Sequence, residues 1–509
     1  MVTEISPPAP VTSSPAETLK EQLLALSRIR VLQLAGLTAL LAWIGGFAMY
    51  TKLCVLDPDL WWHMKVGDWI IEHAAVPHTG ILSRTAANRP WVAYSWGYEV
   101  MLSRAYAWFG LLGIALFGVL LTVMVAYAVY WMMLRLAARF WVACIGTTIV
   151  CEAFLFDGMP RPFFFSIAFF AVILTLLLQA NRDGNARRLY WLPLIFLLWT
   201  NLHIQFTYAL AVLGLFVGVN IAQRLATQLG LKLDFLQASA LRSADLLLVF
   251  AACLLATIIG PNFYHPYQAL YTYSQEKFPY SVIIELQPLT FRGFSNYLEL
   301  FLAAGAFFAI GWQKKIDLFK LGLMVFASVF AFRTMRDAWF VSVSAAACIA
   351  DFPPVEEERE STESWLERAG VAAALVVLLA LISTSVDFNQ RALDRTISSM
   401  YPVNAINFLR RNPVPGPLYN NLNWGGFLMW YMPGQPVAID GRNDLYGDDL
   451  DKLFYDSQSA QNSYLSDPYL NESGLVLLDS KLPLAKVLSV DSRFQMIYHD
   501  DIATVYARR

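Results

Sequence analysis

Long apolar stretches recur along this chain, and they constrain its fold more than any other feature. Lipid offers no partner for backbone N–H and C=O groups, so a segment that enters it must close its hydrogen bonds internally, as a helix or a sealed barrel. A helix needs ~20 apolar residues to cross ~30 Å of hydrocarbon. Candidate stretches lie near 31–50, 110–133, 140–156, 163–180, 189–202, 205–222, 245–261, 297–311, 319–334, 336–350 and 369–386. Of the 509 residues, 57% are hydrophobic and 15% charged, a balance a soluble domain does not need. The expected fold is a mainly α polytopic membrane protein of about 11 transmembrane helices, with surface helices in its first outer loop and a small C-terminal α/β outer domain.

Charge sets orientation and removes some functions. Net charge is −2 with no basic block, which speaks against nucleic acid as a partner. Short loops carrying Arg135 and Arg139, then Arg182, Arg187 and Arg188, then Arg224, Lys232 and Arg242, then Lys314, Lys315 and Lys320 read as cytoplasmic. Two inside loops must be separated by an even number of crossings, so the stretch 189–222 must be a hairpin turning at Asn201–Gln205. As one straight helix it would run ~51 Å and put its flanking positive loops on opposite sides. The same counting places 51–108, Asp157–Arg161, 262–296, Arg333–Asp337 and everything after 387 outside, with the acidic run Glu356–Glu360 inside. The expected divisions are a cytoplasmic tail (1–30), a transmembrane domain (31–386), a linker (387–397) and an outer α/β domain (398–509). The Pro/Ser-rich N-terminus lacks a small-residue cleavage site, so the first helix is expected to stay attached. The five cysteines show no metal-type spacing and read as buried free thiols.

The chemistry is expected in the first outer loop. Asp57-Pro58-Asp59 follows the first apolar run and opens the aromatic stretch Leu60-Trp61-Trp62-His63. Carboxylates at a membrane boundary are costly to hold and tend to mark a site. From 59 to 74 the spacing suits a helix that carries Asp59, His63 and Gly67 on one face, and 94–108 forms a second amphipathic stretch with Glu99 and Arg104.

These residues carry a resemblance. An acidic D-x-D element after the first helix, two surface helices, the stretch Trp91 to Glu99 and a C-terminal outer domain resemble the GT-C superfamily of membrane glycosyltransferases. Within it the chain is similar to the bacterial dolichyl-phosphate-mannose-mannosyltransferase-like and lipid A sugar transferase-like branches. Further matches are Trp199 to His203, Gly260 to Asn262, Glu285 to Pro288, Asn423 to Phe427 and Ile439 to Arg442. The departure is a proline between two acids that are adjacent in many members. The resemblance implies a bacterial inner-membrane enzyme, N-terminus cytoplasmic and C-terminus periplasmic or extracellular. It would move a sugar from a polyprenyl-phosphate donor to a lipid, glycan or protein acceptor at the outer face, among membrane lipids.

On that reading Asp57 or Asp59 is the base for the acceptor hydroxyl, and the leaving phosphate needs cations. Arg84, Arg89, Arg161, Arg292, Arg333 and Arg336 are on the expected side, and planar guanidinium suits phosphate. Candidate substrate-binding residues are His63, Glu99, Arg161, His203, Gln205, Arg333 and Arg336. Plainer readings stand beside these. Asp57 is also a helix cap before a proline, and Asn201, His203 and Gln205 are also a self-satisfying hairpin tip. Arg161, between two prolines, suits phospholipid headgroups as well, and Arg333, Arg336 and Asp337 could bridge one another. A divalent cation on Asp57, Asp59 and His63 is a further candidate. Glu152, inside the third span, reads as a protonated packed acid. Asp440-Gly441-Arg442 reads as a turn with a local salt bridge. The alternative classes are a transporter or flippase of a lipid-linked sugar, weakened by the absence of an internal repeat, and a non-catalytic membrane assembly partner.

Overall fold

The computed structural model describes residues 30–136, 139–154, 159, 161–231, 234–237, 239–352 and 364–509. The N-terminal tail to Ile29, Asp157, Pro160, Lys232 and the acidic run Glu356–Glu360 lie outside the described residues.

Each apolar stretch forms a helix. The first is α1 (Arg30–Thr51). It is followed by α2 (Pro58–His73) in the first loop. Then come α3 (Trp96–Arg135), α4 (Phe140–Phe154), α5 (Phe163–Asp183), α6 (Leu192–Thr200), α7 (Phe206–Gln228) and α8 (Ser243–Ala256). The short α9 (His265–Gln275) and α10 (Phe278–Val282) precede α11 (Phe294–Gly311), α12 (Leu318–Arg333), α13 (Ala338–Ala350) and α14 (Trp365–Ser385). Six of these, α1, α3, α5, α7, α11 and α14, are long and apolar enough to cross a membrane. The other five apolar stretches give helices of 9 to 16 residues. At 1.5 Å per residue these fall short of ~30 Å when straight and upright. Where a hairpin was expected, α6 and α7 are separate helices joined at Asn201–Gln205.

Local chemistry explains the two helices of the first loop. The Asp57 side chain accepts from the backbone N–H of Asp59 at 3.0 Å and Pro58 takes the first helical position, where its missing N–H costs nothing. The helix stops at Ala74, which adopts a left-handed conformation. Gly110, at φ 60° and ψ −146°, breaks α3 into an arm from Trp96 and an apolar span beyond it; a side chain would be strained there. Gly67 sets the closeness of α2 to that arm, since a Cβ on it would meet the Glu99 carbonyl oxygen at 2.1 Å.

After α14 the chain builds a C-terminal α/β unit. Residues 387–397, expected as a linker, instead mostly form α15 (Gln390–Ser398), capped by Asn389 and burying Ala392, Leu393 and Ile397. The alternation of apolar residues at helical spacing with Gln390, Arg391, Asp394 and Arg395 is the reason, because it gives the segment one face to bury. Beyond α16 (Val403–Arg411) comes the strand β1 (Leu418–Asn420), then α17 (Gly425–Tyr431), α18 (Asn443–Gln458) and α19 (Pro468–Glu472). β2 (Leu475–Asp479), α20 (Pro483–Leu488), β3 (Phe494–His499) and β4 (Ala503–Arg508) complete the unit. The sheet order is β1-β2-β4-β3, β1 parallel to β2 and the other pairs antiparallel.

This unit grips the first loop. Trp61 of α2 is fully buried and meets Phe427, Tyr431 and Tyr401 edge-on, with ring centroids 5.0, 5.5 and 5.7 Å away. Edge-to-face rings add about 0.5–1.5 kcal/mol each beyond their buried area. Arg84 and Arg89 tie the loop to the same unit through Glu472 and Asp449. They are therefore joints between two chain segments. On the far side Asp448 accepts from the backbone N–H groups of Lys277 and Phe278, which docks α10 on α18.

Replacing Phe427 with Ala opens the aromatic box around Trp61 and is expected to cost about 3–5 kcal/mol, read as a lower melting temperature and faster proteolysis of the C-terminal unit. Asp451 of α18 is buried, and among the described residues neither carboxylate oxygen has a hydrogen-bond partner. Burial, and the neighbouring Glu276, Asp440, Asp444 and Asp448, push it up to about 8. A carboxyl whose pKa is raised on folding contributes fully only below its unfolded value near 3.8, and that contribution is lost progressively as pH rises from there to about 8. Asp451→Asn is expected to match the wild type in thermal stability near pH 4 and to exceed it by several degrees near pH 9. Equal melting curves at both pH values would contradict this.

Candidate functional site

The N-terminus of α2 meets the segment before α5. Arg161 donates from Nε to Asp57 Oδ2 at 2.7 Å and from Nη2 to Asp57 Oδ1 at 2.8 Å, a two-pronged pair with a buried carboxylate. Its third nitrogen, Nη1, lies 3.2 Å from Asp59 Oδ2 and 3.3 Å from Glu285 Oε1. Forked geometry suits arginine, which matches a carboxylate with two parallel bonds and keeps one nitrogen for others. Asp57 thus both caps the helix and fixes the cation, so the two readings of this residue hold together.

Asp59 is held differently. Trp62 Nε1 donates to its Oδ1 at 3.0 Å, and Arg161 Nη1 lies 3.2 Å from its Oδ2. Burial lifts its pKa to about 6; Arg161 opposes that shift while Asp57 adds to it. Gly441 presses on this carboxylate from the C-terminal unit, and a Cβ there would stand 2.2 Å from Asp59 Oδ1. A side chain at 441 would push that carboxylate aside.

Glu285 sits in a short turn between α10 and α11, and a backbone bond from Met335 N to Gln287 O, 2.9 Å, lays that turn beside Arg336. Its Oε1 accepts from Arg336 as well as from Arg161. Burial raises the Glu285 carboxyl, but Arg336 and Arg161 outweigh it and hold it at about 2. The carboxylate is therefore ionised throughout the ordinary pH range.

One turn along α2, His63 Nδ1 lies 3.2 Å from Glu99 Oε1, and both side chains are buried. The imidazole lies against Trp62, the rings tilted by 31° with centroids 3.5 Å apart. Across from it, His203 lies 2.8 Å by Nδ1 from Ser166 Oγ, which also accepts from Trp199 Nε1. Burial, with Arg336 and His63 nearby, drops the His203 pKa to about 3, so the ring is neutral. Tyr94 faces it with ring centroids 6.4 Å apart.

Of the residues singled out in the sequence, Asp57, Asp59, Arg161 and Arg336 converge, with His63, Glu99 and His203 alongside. Gln205 and Arg333 do not join them. Gln205 Nε2 donates to Asp337 Oδ1 at 3.2 Å, and Arg333 lies over the Tyr280 ring. Nor do Arg336 and Asp337 bridge each other, because Arg336 pairs with Glu285 while Asp337 takes Thr334 and Gln205. The cation set Asp57, Asp59 and His63 is not gathered either. The acids turn to Arg161 and the imidazole to Glu99, and among the described residues no group of three His, Cys, Asp or Glu side chains is placed to hold a metal ion.

Glu285, Tyr94 and Gly441 were not among the site candidates. Glu285 stood only within a short matched motif, and nothing in a glycine's neighbours along the chain marks it as a contact for an acid. The Asp440-Gly441-Arg442 turn does form its local salt bridge, at 2.8 Å, but the pair is fully buried. Arg442 also donates to the Ile81 carbonyl and stacks on Trp91 at 4.8 Å. The turn therefore pins the C-terminal unit to the loop that carries Asp59.

No family model matches this chain, and no curated protein matches it. Among solved structures it is similar to that of ArnT from Cupriavidus metallidurans bound to undecaprenyl phosphate. The match has 13% identity and a TM-score of 0.45, and it covers 94% of this chain and 97% of the other.

Proposed function

We propose that this protein is a GT-C-type membrane glycosyltransferase that moves a sugar from a polyprenyl-phosphate donor to an acceptor hydroxyl at the outer membrane boundary. The observation that carries the reading is the cluster at the head of α2. A part-buried carboxylate, Asp59, held by Trp62 and one nitrogen of Arg161, stands near two guanidinium groups where the first loop meets the helical body.

In this reading Asp59 is the base and Asp57 a positioning residue. As the acceptor oxygen attacks the anomeric carbon, its proton passes to Asp59. A new carbon–oxygen bond forms while the bond from that carbon to the phosphate oxygen breaks, with inversion. The polyprenyl phosphate leaves with the bonding electron pair. Arg161 and Arg336 steady the charge that gathers on it, as preorganised cations do in a dry site. Neutral His203 and the His63–Glu99 pair line the approach of the sugar or the acceptor. A base of pKa about 6 is ionised at neutral pH yet still basic enough to share a proton in the transition state. The inner-membrane location, with the C-terminal unit outside, belongs to the same proposal, because a lipid-linked donor holds its reacting carbon at headgroup height.

The test compares lipids and glycans by mass spectrometry in a strain lacking the gene, complemented with wild type, Asp57→Asn or Asp59→Asn. Wild type restores a hexose- or pentose-bearing species. Asp59→Asn, folded and inserted, is expected to lose about 10²–10⁴-fold in rate, and Asp57→Asn to lose less. Full activity in both variants would reject the assignment.

With the donor so identified, the rate should fall about tenfold per pH unit below pH 6, since protonated Asp59 cannot accept the proton. A flat profile from pH 5 to 8 would exclude Asp59 as the base.

A further inference from the structure

Glu285 is the one acid in the cluster that neither caps a helix nor approaches an acceptor, and its placement needs its own account. A single oxygen of its carboxylate is shared by two guanidinium groups, Nη1 of Arg161 at 3.3 Å and Nη2 of Arg336. That is the arrangement an anionic phosphate oxygen makes between two arginines. Unlike Asp57, which is buried, the Glu285 side chain is 41% exposed. The turn that carries it is anchored independently of the carboxylate, by buried Leu286 and by the backbone bond from Met335 to Gln287. The side chain can therefore leave the arginines by rotating about its own bonds while the backbone stays docked.

We infer that the Glu285 carboxylate is a displaceable stand-in for the phosphate group, holding the Arg161–Arg336 seat between turnovers and exchanging with a polyprenyl phosphate ester. This rests on the reading of the site as a polyprenyl-phosphate-dependent transferase and adds a role for a residue that the reading does not use. Two consequences follow from charge alone. Asp57 and Asp59 face Arg161, so without Glu285 the Arg336 guanidinium would lose the carboxylate it pairs with, and a third acid keeps the resting site intact. The leaving polyprenyl phosphate is a monoester and carries more charge than the diester donor, so it would be held more tightly than the substrate it came from. A competing carboxylate that returns to the same two nitrogens speeds its departure.

The experiment measures binding of undecaprenyl phosphate to the full-length protein in nanodiscs, for the wild type and for Glu285→Gln. Inorganic phosphate and phosphatidylglycerol serve as separate probes. The variant removes the competing charge and is expected to bind undecaprenyl phosphate on the order of tenfold more tightly, with no gain for phosphatidylglycerol. A purely structural glutamate would give the opposite sign, since its loss cannot improve affinity. Glu285→Asp, one methylene shorter, keeps the charge but not the reach to both arginines, and is expected to bind with intermediate affinity; it also serves if Glu285→Gln does not fold. Unchanged or weaker binding in a folded variant overturns the inference and leaves the transferase reading standing. An equal gain with phosphatidylglycerol overturns it too, because the seat would then serve bulk lipid. Failure of the folded wild type to bind undecaprenyl phosphate removes both.

Discussion

A guanidinium that must be shared among three carboxylates organises this protein. Arg161 commits two nitrogens to Asp57 and has one left, and Asp59 and Glu285 both approach that one. Isolated buried charges cost several kcal/mol each, so such a cluster survives only when geometry and residual hydrogen bonds are good. The segment before α5, the head of α2 and the turn before α11 each bring one part of it.

The C-terminal unit takes part in the site. Its aromatic residues enclose Trp61, its Gly441 touches Asp59, and its buried Asp440–Arg442 pair reaches back to Ile81 and Trp91. Contact of this kind makes the environment of Asp59, and hence its raised pKa, depend on a segment almost four hundred residues later in the chain. A carboxylate in water beside arginine would titrate low; the same group enclosed by Trp62 and a glycine turn titrates higher because desolvation outweighs the cation.

Much of the helical body was legible in the sequence because its signals are local. Apolar runs, the Asp-Pro start of α2, the hairpin at Asn201–Gln205 and the amphipathic arm before Gly110 depend on neighbours within a few residues. The length of the shorter helices was not legible, since hydropathy does not reveal where a helix begins and ends, and the helix at Gln390–Ser398 was hidden behind an expectation of a linker. Within the site the residue types were visible but not their partners. Arg161 showed itself as a cation between prolines, yet its acid stands 104 residues away. His63 suggested a metal ligand, and its partner proved to be Glu99 on the adjacent arm. Gln205 and Arg333 had the right chemistry in the right loops and face elsewhere.

Taken alone, the amino-acid sequence determined an apolar, helical, membrane-type body with two acids at the start of a loop helix, because periodicity and capping act over a few residues. Only the tertiary structure decided which cation those acids face, which of the two commits both oxygens to it, and that a third acid shares the arginines. Charge pairing and desolvation depend on what packs nearby in space, and those neighbours come from segments a hundred or more residues apart.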